Sequence, residues 1–457
     1  MKVFVRSFLF VAVIFSLLIF WGCNNSETEN DDDSTDELIE PDETEMPDDH
    51  IDAPDEDEEF LSEFDMNGKK CVTDIPKGKI ILATSRNYSD YDAPWRVQIL
   101  VLKDDGSLVD TEKFFETDPD LRGIGFNSNG QLAAVSSWKT GYITLFAIID
   151  DSVCIAQEEV ELPNLKDRET TTERVIFGEV VHHSLDPYKI LLVYGNTIVP
   201  SDYSNYLGGI YTMSVDKTGK ASISEDYHPM HVPKAFTVLP CKTKAIALAG
   251  KDFIKKEGED LATASPEDLV LMDISGDTPE VIKWFDVWGT PGERGMGPGT
   301  SSIGTSQNGL VLIPNSSDYS EEPGVMKLFQ FDGTDKFTLL DTFEDPLFDS
   351  PDYAAINDEG TAAVVLNSYF KGATLSIDEN ELSFVLKENH DLVRPMIKLN
   401  SKPFKNHVII GSFRSSNDES VSITLAEITT EGLVEKSSTL VPLEDDYSLE
   451  SFAIQND

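Results

Sequence analysis

Seven residues occupy one position of a degenerate repeat in this chain: Arg122, Glu179, Lys234, Ser301, Asp352, Arg394 and Glu450. Three are acids and three are bases, and the signs nearly alternate along the sequence. Brought round a common axis, such a set offers Asp352, Glu450 and Glu179 as hard oxygen ligands and Arg122 as a group to orient a substrate oxygen. The same set also pairs with itself, leaving a solvated lining. Asp352 stands between Ser301 and Arg394 and so has one basic neighbour, whereas Glu179 and Glu450 each stand between two.

Histidine supplies the candidate acid–base chemistry. His228-Pro229-Met230-His231 reads as a connection at the same end of the repeat as the charged positions, which makes His228 or His231 the candidate general base, with Asp352 or Glu179 as its orienter. His182-His183 ends a strand, where successive side chains point to opposite faces and cannot share one metal. His-Glu-x-x-His, Gly-x-Ser-x-Gly and Cys-x-x-Cys do not occur, so zinc peptidase, elbow-serine hydrolase and thioredoxin-like readings lack their motifs. The glycine-rich run Gly289–Gly299 lacks the Gly-Lys-Ser/Thr of a phosphate cradle and reads as a mouth loop. Trp95, Trp138, Trp284 and Trp288 read as packing or loop anchors.

The elements that must position these groups are strands. Leu121–Ile149 reads as strand, tight turn, strand, turn, strand, with Asn127-Ser128-Asn129-Gly130 supplying the turn chemistry. Versions recur at Asp352–Gly360, Ser301–Gly309, Glu179–Lys189, Lys234–Lys244 and Arg394–Asn406. A seventh is split between the ends: Leu449–Asp457 begins the unit and Gly78–Ser85 continues it. Helical periodicity is nearly absent. A repeat begun at one end of a chain and completed at the other closes a ring, so the predicted fold is all-β, a seven-bladed propeller closed by a C-terminal strand in the first blade.

Ala134-Val135-Ser136-Ser137 and Val365-Leu366-Asn367-Ser368, each following an inner hairpin, are degraded forms of a Tyr-Val-Ala-Asn signature. On these segments and the repeat, the chain resembles seven-bladed propellers of the YVTN-repeat and lactonase-like kind. The resemblance implies a substrate site at the channel mouth, and in calcium-dependent members Ca2+ held by carboxylates, here Asp352, Glu450 and Glu179.

The chain carries 83 Asp and Glu against 36 Lys and Arg, which argues against nucleic acid as a partner. Residues 1–22 have a basic start and an apolar run from Ser7 to Trp21, the pattern of an export signal. Gly22-Cys23 resembles the end of a bacterial lipobox, although Phe20 stands where leucine is preferred. That likeness implies lipidation of Cys23, and Asn24 after it points to the outer membrane or cell surface. Residues 24–65 hold 21 acids and no Lys or Arg, so 23–70 is predicted to be an extended acidic tether and 71–457 the propeller domain. Of the remaining cysteines, Cys71 and Cys154 are expected to bridge, because both fall at the turn end of the first two blades, with Cys241 left over. The expected function is a lipid-anchored module that binds or scaffolds a protein, glycan or small molecule. The alternative is a calcium-assisted hydrolase of a lactone or ester.

Overall fold

The computed structural model describes residues 60–87, 93–117, 121–137, 140–162, 175–183, 185–196, 208–250, 253–254, 263–264, 267–287, 302–315, 325–344, 351–367, 372–379, 381–388, 393–398, 404–411, 420–442 and 447–455. Their strands form seven antiparallel blades. Blade 1 runs outward from Tyr447–Ile454 through Lys79–Asn87 and Trp95–Leu102 to Leu108–Thr117. Blade 2 comprises Leu121–Phe126, Leu132–Ser137, Tyr142–Ile149 and Ser152–Glu161. Blade 3 comprises Val175–His182, Lys189–Asn196, Gly208–Val215 and the first part of Ala221–Val238. The rest of that 18-residue strand opens blade 4, followed by Lys244–Gly250, Glu267–Asp273 and Glu280–Asp286. Blade 5 holds Gly304–Thr305, Leu310–Asn315, Val325–Phe331 and Phe337–Glu344. Blade 6 holds Pro351–Ile356, Ala362–Asn367, Gly372–Asp378 and Glu381–Glu388, and blade 7 Val393–Lys398, His407–Gly411, Ser420–Thr429 and Gly432–Pro442.

The ring closes as the sequence predicts: Tyr447–Ile454 pairs along Lys79–Asn87, with Ile454 opposite Ile81. Burial explains the strand sequences. The second and third strands lie between two neighbouring blades, so they are buried on both faces and read as mainly apolar runs such as Tyr142–Ile149. Outermost strands such as Glu280–Asp286 are half solvated and mix polar with apolar residues. Each outermost strand also carries a register shift against the third, which roughens an edge that would otherwise invite pairing with another chain.

At the centre, space decides sequence. A Cβ on Gly125 would lie 2.0 Å from the Val180 carbonyl oxygen, so the innermost strands of blades 2 and 3 approach closely only because glycine stands there. The inner hairpin turns repeat one device. Asn127 Oδ1, Ser306 Oγ and Asn357 Oδ1 accept the N–H of Leu132, Leu310 and Ala362 at 2.9, 3.0 and 3.0 Å. Gly130, Gly309 and Gly360 take φ of 71°, 85° and 70° in the same three turns.

Cys71 and Cys154 form a disulfide, but the placement expected of Cys71 is corrected. Cys71–Val72 adds a fifth strand to the outer edge of blade 2, with Cys71 directly opposite Cys154, and the chain enters blade 1 only at Lys79. The reason is apolar packing upstream. Leu61 is buried in the core between blades 2 and 3, Phe60 meets Tyr188 at 4.4 Å between ring centroids, and Lys70 pairs with Glu158 at 2.7 Å. The packed region therefore extends back at least to Phe60, inside the predicted tether. The leader, Cys23 and the tether up to residue 59 lie outside the described residues. Cys241 is a half-buried free thiol.

Candidate site at the channel mouth

In six blades the innermost strand slips register against the second strand, always in its first half, toward the end away from the inner hairpin turn. Thr84 pairs with Ser451 and Ser85 with Leu449, so Glu450 is the extra residue of a β-bulge. Arg122 is likewise extra between Leu121 and Gly123, and Asp352 between Pro351 and Tyr353. Lys234 falls within the slip between His231 and Ala235, and Arg394 within that between Val393 and Met396. In blade 3 the extra residue is Gly178, and Glu179 beside it pairs with Val193. Ser301 lies outside the described residues.

Five of the positions picked from sequence thus fall in register slips at one level of the channel, three of them as the extra residue of a bulge. A bulge bends the strand and re-aims its side chains. The regular alternation that groups Arg122 with Ile124 and Phe126 consequently does not carry through position 122, which is a correction to the sequence reading. The side chains of Arg122, Glu179, Lys234, Arg394, Glu450 and His231 lie outside the described residues. Asp352 is 3% exposed, and its main-chain carbonyl accepts the Ser302 N–H at 3.2 Å.

The histidines fall differently from expectation. Residues 228–231 are not a connection: they continue the strand Ala221–Val238 from blade 3 into blade 4. His228 faces Ile210, which faces Val193, which faces Glu179, so one line of register crosses the whole blade. His228 is therefore three strand spacings, about 14 Å, from Glu179 and stands on the perimeter, not at the mouth. Half-burial there lowers its pKa, favouring the neutral ring. His231 opens the innermost strand of blade 4 opposite Gly250, at the mouth end. His183 holds a turn together, because its Nδ1 accepts the Asp186 N–H and its Nε2 faces the Gly276 carbonyl, both at 3.2 Å. Trp95 is wholly buried in the core between blades 1 and 2.

Calcium fits the register poorly. The three candidate carboxylates belong to blades 1, 3 and 6, and Arg122, Lys234 and Arg394 are interleaved with them. A Ca2+ cage needs six to eight oxygens converging within about 2.6 Å of one point. Among the described residues no three His, Cys, Asp or Glu side chains form a metal-holding group. A cavity of about 420 Å³ opens on the opposite face, lined by Lys77, Asp150, Asp151 and Gln455 with Ile80 and Ile148. It lies beside residues 75–78, which lead into blade 1, away from the charged ring.

Fold and mouth together define the class: a seven-bladed β-propeller resembling lactonase-like folds, with bulged inner strands at one end of its channel. Solved structures of this shape include a candidate 6-phosphogluconolactonase from Bacteroides uniformis, with TM-score 0.55 and 9% identity over 83% of this chain and 100% of that one. One from Bacteroides fragilis aligns with TM-score 0.52 and 12% identity over 83% and 98% of the two chains. The Pseudomonas aeruginosa periplasmic gluconolactonase aligns with TM-score 0.51 and 12% identity over 81% and 98%. No protein-family model and no curated protein matches the sequence. At these identities the likeness is one of fold.

Proposed function

We propose that the protein is an exported propeller that binds a small polar molecule at the bulged mouth and hydrolyses it as a lactone or ester. The observation that carries this reading is the coincidence of five of the six register slips with charged positions, and the sixth lies beside Glu179. Bulges interrupt hydrogen-bonded pairing, and their recurrence at one level is what a site built from several strands requires. The gluconolactonase-like neighbours support a sugar-acid lactone as the first substrate to try. In this reading Arg122 orients the carbonyl oxygen, and Glu450 takes a proton from the water that attacks the acyl carbon and returns it to the ring or ester oxygen as the acyl C–O bond breaks. No step is assigned to calcium or to His228.

Anchoring belongs to the same proposal. The leader and Gly22-Cys23 support lipidation and display at the outer membrane or cell surface. The Cys71–Cys154 bridge suits an oxidising compartment. Phe60 and Phe64 pack against turns at Tyr188 and Gly219, on the face opposite the bulges.

The test is hydrolysis of glucono-δ-lactone and related lactones by the whole protein, with and without chelator, alongside R122A and E450Q. Turnover lost in both variants while the fold persists supports the reading. Saturable binding without turnover restricts the protein to ligand capture. Neither binding nor turnover overturns it. Radiolabelled fatty acid should enter the wild type and not C23S; equal labelling, or none in either, refutes the anchor.

A further inference from the structure

Two of the six bulges are built differently from the others. The first residue after the bulge is Ser451 in blade 1 and Gly123 in blade 2, facing Thr84 and Ser136 on the second strand. Thr84 Oγ1 accepts the Ser451 N–H at 3.1 Å and donates toward the Ser451 carbonyl at 3.2 Å. Ser136 Oγ accepts the Gly123 N–H at 3.1 Å and donates toward the Gly123 carbonyl at 3.3 Å. In blades 3, 4, 6 and 7 the facing residues are Val193, Leu248, Leu366 and Ile410, which have no hydroxyl to offer.

A bulge removes ladder partners from the backbone around it, and buried N–H and C=O groups must find others. Each hydroxyl supplies a donor and an acceptor at one residue, so it straddles both groups. Thr84 and Ser136 are each 0% exposed, and the bonds to both backbone groups offset the cost of burying their hydroxyls. The two latched bulges belong to neighbouring blades. The residues they carry, Glu450 and Arg122, are of opposite charge.

We propose that Thr84 and Ser136 are positioning residues: their hydroxyls clamp the backbone that follows Glu450 and Arg122, pre-organising that part of the mouth as its recognition centre. The proposal rests on the functional reading above and narrows it to one sector of the ring. A site holds its geometry when the residues behind the contacting groups are themselves fixed, and losing such a supporting bond costs about tenfold or more in function.

The experiment uses the whole protein with Thr84→Val and Ser136→Ala, which delete the hydroxyl, and Thr84→Ser and Ser136→Thr, which keep it. Ile410→Ala alters the equivalent position of blade 7 and serves as the packing control. Amide hydrogen exchange is read at Ser451 and Gly123, and turnover of glucono-δ-lactone in parallel. Exchange should accelerate in T84V and S136A and return to normal in T84S and S136T. Turnover should fall about tenfold in the first pair, recover in the second, and stay at the wild-type level in folded I410A. Unchanged exchange in T84V and S136A overturns the latch. Faster exchange with wild-type turnover overturns the positioning role, as does an equal loss in I410A. A wild-type protein that neither binds nor turns over the lactone removes the functional reading and the positioning role together, while the exchange data still decide the latch.

Discussion

Closure of the ring makes the sharpest demand on stability. Deleting residues 447–457 removes the innermost strand of blade 1 and seven paired positions along Ile81–Asn87. Leu449, Phe452 and Ala453 are 4%, 2% and 7% exposed, and losing their burial alone costs about 4–6 kcal/mol. The deletion also bares Ile81, Leu82 and Ala83, each 0% exposed. Domains of ordinary stability have about 5–15 kcal/mol in total, so the truncated chain should be unfolded or nearly so. A graded version keeps the outcome measurable. Phe452→Ala opens a cavity in the core shared by blades 7 and 1, among Ile81, Leu100, Ile423 and Val441, and should cost about 3–5 kcal/mol. Leu440→Ala, on a side chain 65% exposed, should stay within about 0.5 kcal/mol. Urea unfolding followed by circular dichroism and tryptophan fluorescence compares them. An unaltered midpoint in the truncation, or F452A no worse than L440A, would refute the closure. Deleting residues 27–59 should leave the midpoint in place.

Three further expectations follow from particular contacts. The Cys71–Cys154 bridge spans 83 residues, so C71S/C154S should lower stability by up to about 4.5 kcal/mol on the loop-entropy estimate, read as a lower urea midpoint with a somewhat steeper slope, since the unbridged unfolded chain is less compact; no shift would mean that residues 60–72 are held by packing alone. Gly125→Ala must move the blade 2–blade 3 backbone by more than an ångström and should destabilise as strongly as F452A; a mild effect would show that the inner strands can part there. Burial raises the Asp110 carboxyl above its ordinary pKa, so its contribution is fully present below about pH 4 and is lost as pH rises through the folded value. D110N, which keeps an acceptor for the Glu112 N–H at 3.0 Å, should raise the melting temperature at pH 7 and lose that advantage in acid; a pH-independent change would refute the sign.

Much of the architecture was legible in the chain because its signals are local. The turn runs Asn127–Gly130, Ser306–Gly309 and Asn357–Gly360 repeat one hydrogen-bonding device that needs particular residue types, and the apolar runs between them mark strands buried on both faces. The split repeat at the two ends was likewise sufficient to predict closure, since its two halves are each recognisable alone. Long-range contacts decided the rest. Nothing local tells that Cys71 lies on blade 2; Phe60, Leu61 and Phe64 packing against blades 2 and 3 carry it there. His228 reads as a mouth residue because it comes just before the fourth innermost strand, yet the strand continues through it, and register across four strands sets it at the rim. The charged positions recur in the repeat and are legible there, but the bulges that shape their ring arise from pairing between strands. A pleated strand and a bulged one can share the same sequence pattern. The trace the sequence carries is the hydroxyl pair Thr84 and Ser136 where the equivalent positions of blades 3, 4, 6 and 7 hold Val193, Leu248, Leu366 and Ile410, and its meaning depends on which backbone amide folding brings opposite.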